Sequence, residues 1–215
     1  MTVDQFEVFV QQQQPASVPW QPVTDYSFEA RKAIEGIHPN LIKDVFQPAC
    51  VLDVGCGYGT LIRLLIELDV IVCGMDTSDH GDEWVGDITK LETCPPYKYD
   101  LVICREVLEH LTVLQIRQAV RNLCRLSSKF CYVTTRFCHE HKYEWTDDMY
   151  ARHLPLGHAL LQVQDHDDLD PTHITMLTQD FLRMLFVLEG AKRRADLEAK
   201  MDHMHKGRVL VYEVA

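Results

Sequence analysis

Short apolar runs alternate with stretches of helical spacing between residues 50 and 135. The apolar runs predict buried strands, and the spacing of apolar positions over 60–68 and 113–126 predicts two helices. The predicted strands cover residues 50–54, 70–75, 84–85, 99–104 and 129–135. Because strands that alternate with helices imply crossover units, the pattern predicts an α/β fold with a mostly parallel sheet.

The residues before this pattern are predicted to form a flexible segment followed by the beginning of the domain. Residues 1–24, with four consecutive glutamines and three prolines, predict a flexible lead-in, and residues 25–215 predict a single domain. Within that domain, residues 27–36 predict a short helix that ends near Gly36, and the proline-containing residues 38–48 predict a connection into the first strand.

The alternation breaks at residues 136–177, which are rich in histidine, aspartate and proline. Long loops with short helices are predicted there, and so long an irregular stretch favours an insertion that forms an acceptor site. A helix returns over 179–188, with Thr178 as its cap and Gly190 at its end. Residues 208–214 predict a closing strand, paired with residues near 191–196.

Composition and charge narrow the class of protein. The chain has 21 basic and 32 acidic side chains and a net charge of −11, which disfavours a nucleic-acid partner and favours a small or neutral one. No apolar run approaches the roughly 20 residues of a membrane span, and the polar start lacks a signal-peptide pattern. Eight cysteines without a CxxC pair favour buried free thiols in a reducing compartment, so a cytoplasmic location is expected. The oligomeric state stays open.

A glycine-rich loop, Gly55-Cys56-Gly57-Tyr58-Gly59, directly follows the first predicted strand. Its spacing is GxGxG, which differs from the GxGxxG of dinucleotide-binding loops. Asp53 precedes it, and a carboxylate there suits a cationic amino group better than a pyrophosphate, which it would repel. About 20 residues later, Asp76 closes the second strand, where an acidic side chain can accept hydrogen bonds from two ribose hydroxyls.

Residues from about 45 to 135 resemble the class I S-adenosylmethionine-dependent methyltransferases, in their small-molecule and sugar-modifying branch. The resemblance implies a Rossmann-like seven-stranded mostly parallel sheet with helices on both faces, and S-adenosylmethionine as cofactor. A nucleotide-binding oxidoreductase is the alternative to a methyltransferase for this segment. The positions that the resemblance places at the cofactor are Asp53, Gly55, Cys56 and Gly57 near the methionine part, Asp76 with Met75 and Thr77 at the ribose, Asp87 and Ile88 at the adenine, and Cys104 and Arg105 at the sulfonium.

Two hypotheses fit Glu106, Glu109 and His110, which follow the fourth strand. Glu106 and His110 would share one face of a helical turn and could orient the site or cap the next helix, without a metal. Alternatively, two carboxylates and an imidazole suit a divalent ion. With His141, in the HxxEWT segment 141–146, the pattern resembles the small-RNA 3′-terminal 2′-O-methyltransferases. That resemblance implies the metal ligands Glu106, Glu109, His110 and His141.

A further histidine lies in the segment Asp170-Pro171-Thr172-His173. This segment resembles a DPTH element of many bacterial-type methyltransferases, which implies that His173 turns toward the acceptor pocket. An imidazole can remove a proton from a hydroxyl or amine near neutral pH. We therefore expect His173 or His110 to be the base, with Glu106 and His141 helping to build the pocket.

The resulting hypothesis is transfer of a methyl group from S-adenosylmethionine to an oxygen or nitrogen of a small molecule, with no metal required. A sugar or sugar-linked intermediate is one candidate acceptor. Two alternatives stay open: a divalent-metal-dependent RNA 3′-terminal 2′-O-methyltransferase, and a noncatalytic S-adenosylmethionine-binding module.

Overall fold

The computed structural model of the protein describes Lys32 and residues 35–81, 83–137, 173–175, 177–202 and 208–214. The predicted lead-in over 1–24 lies outside the described residues. So do most of the predicted helix over 27–36 and most of the insertion over 136–177, including His141.

Seven strands form one sheet at the centre of the described structure. They are β1 (Cys50–Val54), β2 (Ile71–Asp76), β3 (Trp84–Val85), β4 (Tyr99–Arg105), β5 (Ser127–Thr134), β6 (Lys192–Arg193) and β7 (Val209–Glu213). Their order is β3-β2-β1-β4-β5-β7-β6. β7 runs antiparallel to β5 and β6, and the other neighbouring pairs are parallel. The predicted seven-stranded mostly parallel sheet is confirmed, and its order reverses between β1 and β4, where ligands bind in open α/β sheets.

Helices cover both faces of the sheet, as predicted. The described helices are α1 (His38–Phe46), α2 (Thr60–Glu67), α3 (Val113–Leu126), α4 (Gln179–Leu188) and α5 (Ala195–Met201). Alternate residues of β4 contribute to different layers: Leu101 and Ile103 pack with α1, α2 and α5, whereas Val102 and Cys104 pack with α3 and α4. Because both faces are covered, the central strands read as continuous apolar runs.

Two helices depart from the pattern that the sequence predicts. The proline-containing stretch predicted as a connection is α1, which buries Ile42 and Phe46 four residues apart. Pro39 lies in its first turn, where a missing N–H costs little because that N–H has no partner within the helix. The short helix α5, which buries Leu197 and Met201, was also not predicted.

The predicted bounds of α3 and α4 are confirmed, and capping side chains explain why. The hydroxyl of Thr112 accepts from the N–H of Gln115, whose side chain accepts in return from the N–H of Thr112. Thr178 accepts from the N–H of Phe181, and Gly190 follows α4 with a φ of +81°. The predicted pairing of the closing strand with residues near 191–196 is also confirmed, since β6 lies beside β7.

We expect Thr112→Ala to lower the free energy of unfolding by about 1 kcal/mol, since the N-terminal N–H groups of α3 lose an acceptor. Urea denaturation measures this change. Leu114→Ala, at an exposed position in the same turn, is the control and should change stability by less than about 0.5 kcal/mol. Equal effects of the two substitutions would contradict a capping role for Thr112.

The seven described cysteines are free thiols, and five of them are buried. Cys104 and Cys131 have no exposed surface and pack in the α3–α4 layer. None of the described helices combines the length and the apolar character that crossing a membrane requires.

Candidate functional site

The glycine loop of residues 55–59 joins β1 to α2 at the carboxyl ends of the parallel strands. Gly55 has a φ of +72°, and its N–H donates to the carbonyl of Met75 over 2.7 Å. A Cβ at Gly55 would overlap the side chain of Val107, whereas a Cβ at Gly57 would meet no atom within 4 Å. The loop is therefore closely packed at Gly55 and open at Gly57, an arrangement that lets a ligand approach the backbone.

Asp76 ends β2 and faces this loop. Its Oδ2 accepts from the N–H of Gly57 over 2.9 Å, and its Oδ1 accepts from the N–H of Ser78 over 3.1 Å. The imidazole Nε2 of His80 lies 3.9 Å from Oδ1, and its ring packs beside Tyr58 with centroids 4.8 Å apart. A carboxylate has about four lone-pair sites, so Asp76 retains acceptor capacity for a ligand hydroxyl.

Asp53 lies within β1 and is only 5% exposed. Burial raises the pKa of Asp53 to about 7, against the lowering effect of the nearby Arg105 guanidinium; the negative charges of Glu35 and Asp76 also raise it. A cationic ligand group beside Asp53 would favour its ionised form. The amino group of S-adenosylmethionine has that charge, and its contact with Asp53 stays a prediction.

Arg105 forms a two-bond ion pair with Glu35. Its Nη1 donates to Glu35 Oε2 over 2.9 Å, and its Nη2 donates to Oε1 over 3.1 Å. The neighbouring Cys104 side chain lies fully buried in the core. Placement of these two residues at the sulfonium stays a prediction. Nothing in the local sequence signals Glu35, because it lies 70 residues from its partner.

The two positions predicted at the adenine help to shape the turn after β3. Asp87 Oδ1 accepts from the N–H and hydroxyl of Thr89 over 2.9 and 2.7 Å, and Lys90 lies 3.1 Å from Oδ2. Burial acts to raise the pKa of Asp87, but hydrogen bonds from Thr89 and Lys90 hold it below its ordinary value. Ile88 is buried, and its carbonyl accepts from Asn122 over 2.7 Å. Contact of either residue with adenine stays a prediction.

Three other predicted positions lie close to Asp76. Met75 is almost fully buried, and the hydroxyl of Thr77 donates to Asp76 Oδ1 over a long 3.5 Å. Cys56 is buried, and burial raises the pKa of its thiol well above the ordinary value, with further contributions from the charges of Asp53 and Asp76. At neutral pH Cys56 is therefore a neutral packing residue.

The segment after β4 differs from the predicted helical turn. The N–H of Glu106 continues the β4–β5 edge by donating to the carbonyl of Thr134 over 2.9 Å, and Glu106 then adopts a φ of +52°. The 3₁₀ turn begins only at Leu108. The expectation that Glu106 and His110 share a helical face is therefore wrong. The capping interpretation is also wrong, because Thr112 caps α3.

Glu109 is fully buried beneath this turn. Its Oε2 accepts from the hydroxyl of Thr135 over 2.7 Å, while no N–H or hydroxyl group of the described residues donates to Oε1. Burial raises the pKa of Glu109 to about 8, and both the negative charge of Glu106 and a hydrogen bond between the two carboxyl groups add to the effect. Thr135 directly follows β5. The sequence could have indicated it as a neighbour, since the ends of adjacent parallel strands meet.

Two candidate bases lie together at this edge of the sheet. The rings of His110 and His173 have centroids 4.8 Å apart at an angle of 61°, and His173 is 8% exposed. One ligand atom each from Glu109, His110 and His173 lies within 4.8 Å of the others.

This cluster differs from the four-ligand metal set considered from the sequence. Glu106 is not part of it, and Glu106 Oε2 lies 3.7 Å from Arg136 Nε instead. His141 lies outside the described residues. His173 thus lies beside Glu109 and His110, a grouping that the spacing of ExxEH and HxxEWT does not predict.

A sequence profile described as a methyltransferase domain matches residues 27–194. A search of curated protein sequences finds no significant match.

Three solved structures are similar to this chain in fold. Human N-acetylserotonin methyltransferase in complex with SAM is 12% identical, with a TM-score of 0.53 over 87% of this chain and 55% of that one. A SAM-dependent methyltransferase from Archaeoglobus fulgidus is 14% identical, with a TM-score of 0.56 over 87% and 94%. Magnesium protoporphyrin IX methyltransferase from Synechocystis PCC 6803, with bound SAM, is 14% identical, with a TM-score of 0.54 over 100% and 99%. The chain therefore spans little more than half of the human protein and nearly all of the cyanobacterial one.

Proposed function

Since the chain belongs to the methyltransferase domain family, we propose that it methylates an oxygen or nitrogen atom of a small molecule. It is a class I S-adenosylmethionine-dependent methyltransferase with a Rossmann-like sheet. The observation that carries the acceptor proposal is the pairing of the His110 and His173 rings, with centroids 4.8 Å apart, at the end of the turn that follows Val107. A sugar or sugar-linked intermediate is the acceptor class to test first.

The residues at the carboxyl ends of β1 and β2 fit S-adenosylmethionine, whose sulfonium supplies an activated methyl group. Asp76 is held by two backbone N–H groups with acceptor capacity to spare for the ribose hydroxyls. Asp53 presents a buried carboxyl for the amino group, and Gly57 leaves open space for the methionine part. The fit rests on these three side-chain and backbone features together.

Val107 connects the donor side of the site to the acceptor side. Its side chain packs against Gly55, so the turn that follows it, ending at His110, lies beside the glycine loop. An acceptor held next to the imidazoles would therefore lie near the donor, and such positioning is the main requirement when the methyl group is already activated. The His173 or His110 imidazole would take the proton that the acceptor loses.

A labelling experiment tests the acceptor class. The full chain is incubated with methyl-labelled S-adenosylmethionine and small molecules that carry hydroxyl or amino groups, sugars among them. Parallel samples contain short single-stranded RNA. We expect label in a small molecule, in keeping with the net charge of −11. Label in RNA alone would overturn the proposal in favour of the RNA enzyme. Binding of the donor with transfer to no acceptor would favour a noncatalytic module.

We expect Asp53→Asn to stabilise the cofactor-free protein at pH 8 while weakening donor binding about tenfold, since the charge opposite the amino group is lost. The folded-state pKa of about 7 lies above the ordinary 3.8. Folding therefore favours the protonated form, and stability falls as the pH rises from about 4 to beyond 7. The gain should be on the order of 1–3 kcal/mol at pH 8 and near zero at pH 4.

Urea denaturation at both pH values measures this stability change, and the exposed Asp79→Asn is the matched control. The control should change the stability by less than about 0.5 kcal/mol at both pH values. A gain from Asp53→Asn that is the same at pH 4 and pH 8 would contradict the proposed burial effect.

A further inference from the structure

We propose that Glu109, His110 and His173 bind a divalent transition-metal ion that holds the acceptor. The proposal rests on the proposed function and states how the acceptor side of that site works. It starts from one geometric fact: a carboxylate oxygen and two imidazole nitrogens lie within 4.8 Å of one another. Such donors can approach one ion at about 2.0–2.2 Å after small side-chain rotations.

The Glu109 carboxylate has the surroundings of a metal ligand. It is fully buried, and the hydroxyl of Thr135 holds one oxygen over 2.7 Å. No N–H or hydroxyl group of the described residues donates to the other oxygen, and the Glu106 carboxyl lies close enough to share a proton with Glu109. A divalent cation would take the place of that proton, because a carboxyl must lose its proton to ligate a metal. The hydrogen bond from Thr135 reaches the Glu109 oxygen that would not bind the ion. Such a bond is the kind of contact that orients metal ligands.

Backbone hydrogen bonds hold the three residues together from distant parts of the chain. The carbonyl of Glu109 accepts from the N–H groups of Ile174 and Thr175, over 2.9 and 3.1 Å. His110 follows Glu109 within the same 3₁₀ turn. His173 is thus fixed beside the turn by the two residues that follow it, and the donor set is largely formed before any ion binds.

The donors indicate the class of ion. Two imidazoles and one carboxylate suit Zn²⁺, Mn²⁺, Fe²⁺ or Co²⁺, whereas Mg²⁺ and Ca²⁺ prefer sets made of oxygen atoms. Three protein ligands leave coordination positions open, as in catalytic rather than structural sites. The hydroxyl or amino group of the acceptor would occupy one of these positions, where the ion lowers its pKa.

The metal changes the role of the two histidines in the transfer. With the ion bound both imidazoles are ligands and cannot act as the base of the ion-free site, so an acceptor hydroxyl releases its proton to solvent water. The oxygen lone pair then forms the new bond to the methyl carbon. The sulfur keeps the electron pair of the S–CH₃ bond that breaks, and the donor leaves as neutral S-adenosylhomocysteine.

The test uses the metal-free full chain, titrated with Co²⁺ and followed by its visible absorption. We expect one equivalent to bind and Zn²⁺ to displace it. His173→Gln and Glu109→Gln should each weaken Co²⁺ binding at least about 100-fold, and Thr135→Val about 10- to 100-fold. His80→Gln, which removes a histidine at the donor side, is the matched control and should bind Co²⁺ like the unsubstituted chain.

Binding of S-adenosylmethionine in the same samples shows that each variant is folded and separates the two proposals. Donor binding without saturable Co²⁺ binding would overturn the metal site and leave an imidazole as the proton acceptor. Co²⁺ binding that is equal in the Gln variants and the control would also overturn it. Co²⁺ binding that needs His173 and Glu109, in a chain that does not bind the donor, would support the metal site and contradict the proposed function.

Discussion

Replacing Asp76 with alanine is expected to weaken S-adenosylmethionine binding at least about 100-fold. The substitution removes the charged acceptor that we propose for two ribose hydroxyls, and each hydrogen bond to a charged group contributes about 1.5–3 kcal/mol. It also leaves the N–H of Gly57 without the acceptor that it has in the unsubstituted chain, where it donates to Asp76 over 2.9 Å. The glycine loop would then lose the contact that orients it toward the donor. Equilibrium dialysis with labelled donor measures the change.

Two further variants make this result specific. Asp76→Asn keeps one acceptor oxygen without the charge, so its affinity should lie between those of the unsubstituted chain and Asp76→Ala. Asp79→Ala removes an exposed aspartate from the same loop, where it accepts only from the N–H of Gly81 among the described residues, and it should leave the affinity unchanged. If Asp76→Ala bound the donor as tightly as Asp79→Ala, the ribose would have to lie elsewhere.

Gly55→Ala is expected to lower the free energy of unfolding by about 2–5 kcal/mol. A φ of +72° costs an L-residue about 1–2 kcal/mol. The new Cβ would also overlap Val107, and overpacking of this kind costs about 1–3 kcal/mol. Both contributions act at one position, which is why the expected loss is large. Urea denaturation of the cofactor-free chain measures it.

Gly57 offers a control that separates the two causes. It also has a positive φ, of +53°, but a Cβ there would meet no atom within 4 Å. Gly57→Ala should therefore cost only about 1–2 kcal/mol. Adding Val107→Ala to Gly55→Ala should recover part of the steric loss, and a double-mutant cycle quantifies that part. Equal costs at Gly55 and Gly57 would show that Val107 does not restrict the loop.

The elements that could be predicted from the sequence are those with strong local patterns. The bounds of α3 and α4 follow from an apolar face together with the caps Thr112 and Thr178. α1 was missed because Pro39 suggests a loop, although proline is tolerated in a first helical turn. α5 was missed because it is only seven residues long and has too few turns to show a clear period.

In the site, too, the features that depend on local sequence could be predicted, and those that depend on tertiary contacts could not. Gly55 and Asp76 could be placed near each other because parallel strands end at one edge of the sheet. The spacing of the sequence wrongly places Glu106 on a helical turn, because the sequence does not show that this residue adopts a φ of +52°. The pairing of His110 with His173 joins residues 63 positions apart, so their spacing alone could not establish it.

The most direct test of the central claim is a calorimetric titration of the full chain with S-adenosylmethionine. We expect saturable binding at one site per chain, and S-adenosylhomocysteine should compete for that site. Binding of neither compound, by a chain shown to be folded, would contradict the assignment of the β1–β2 edge to a methyl donor.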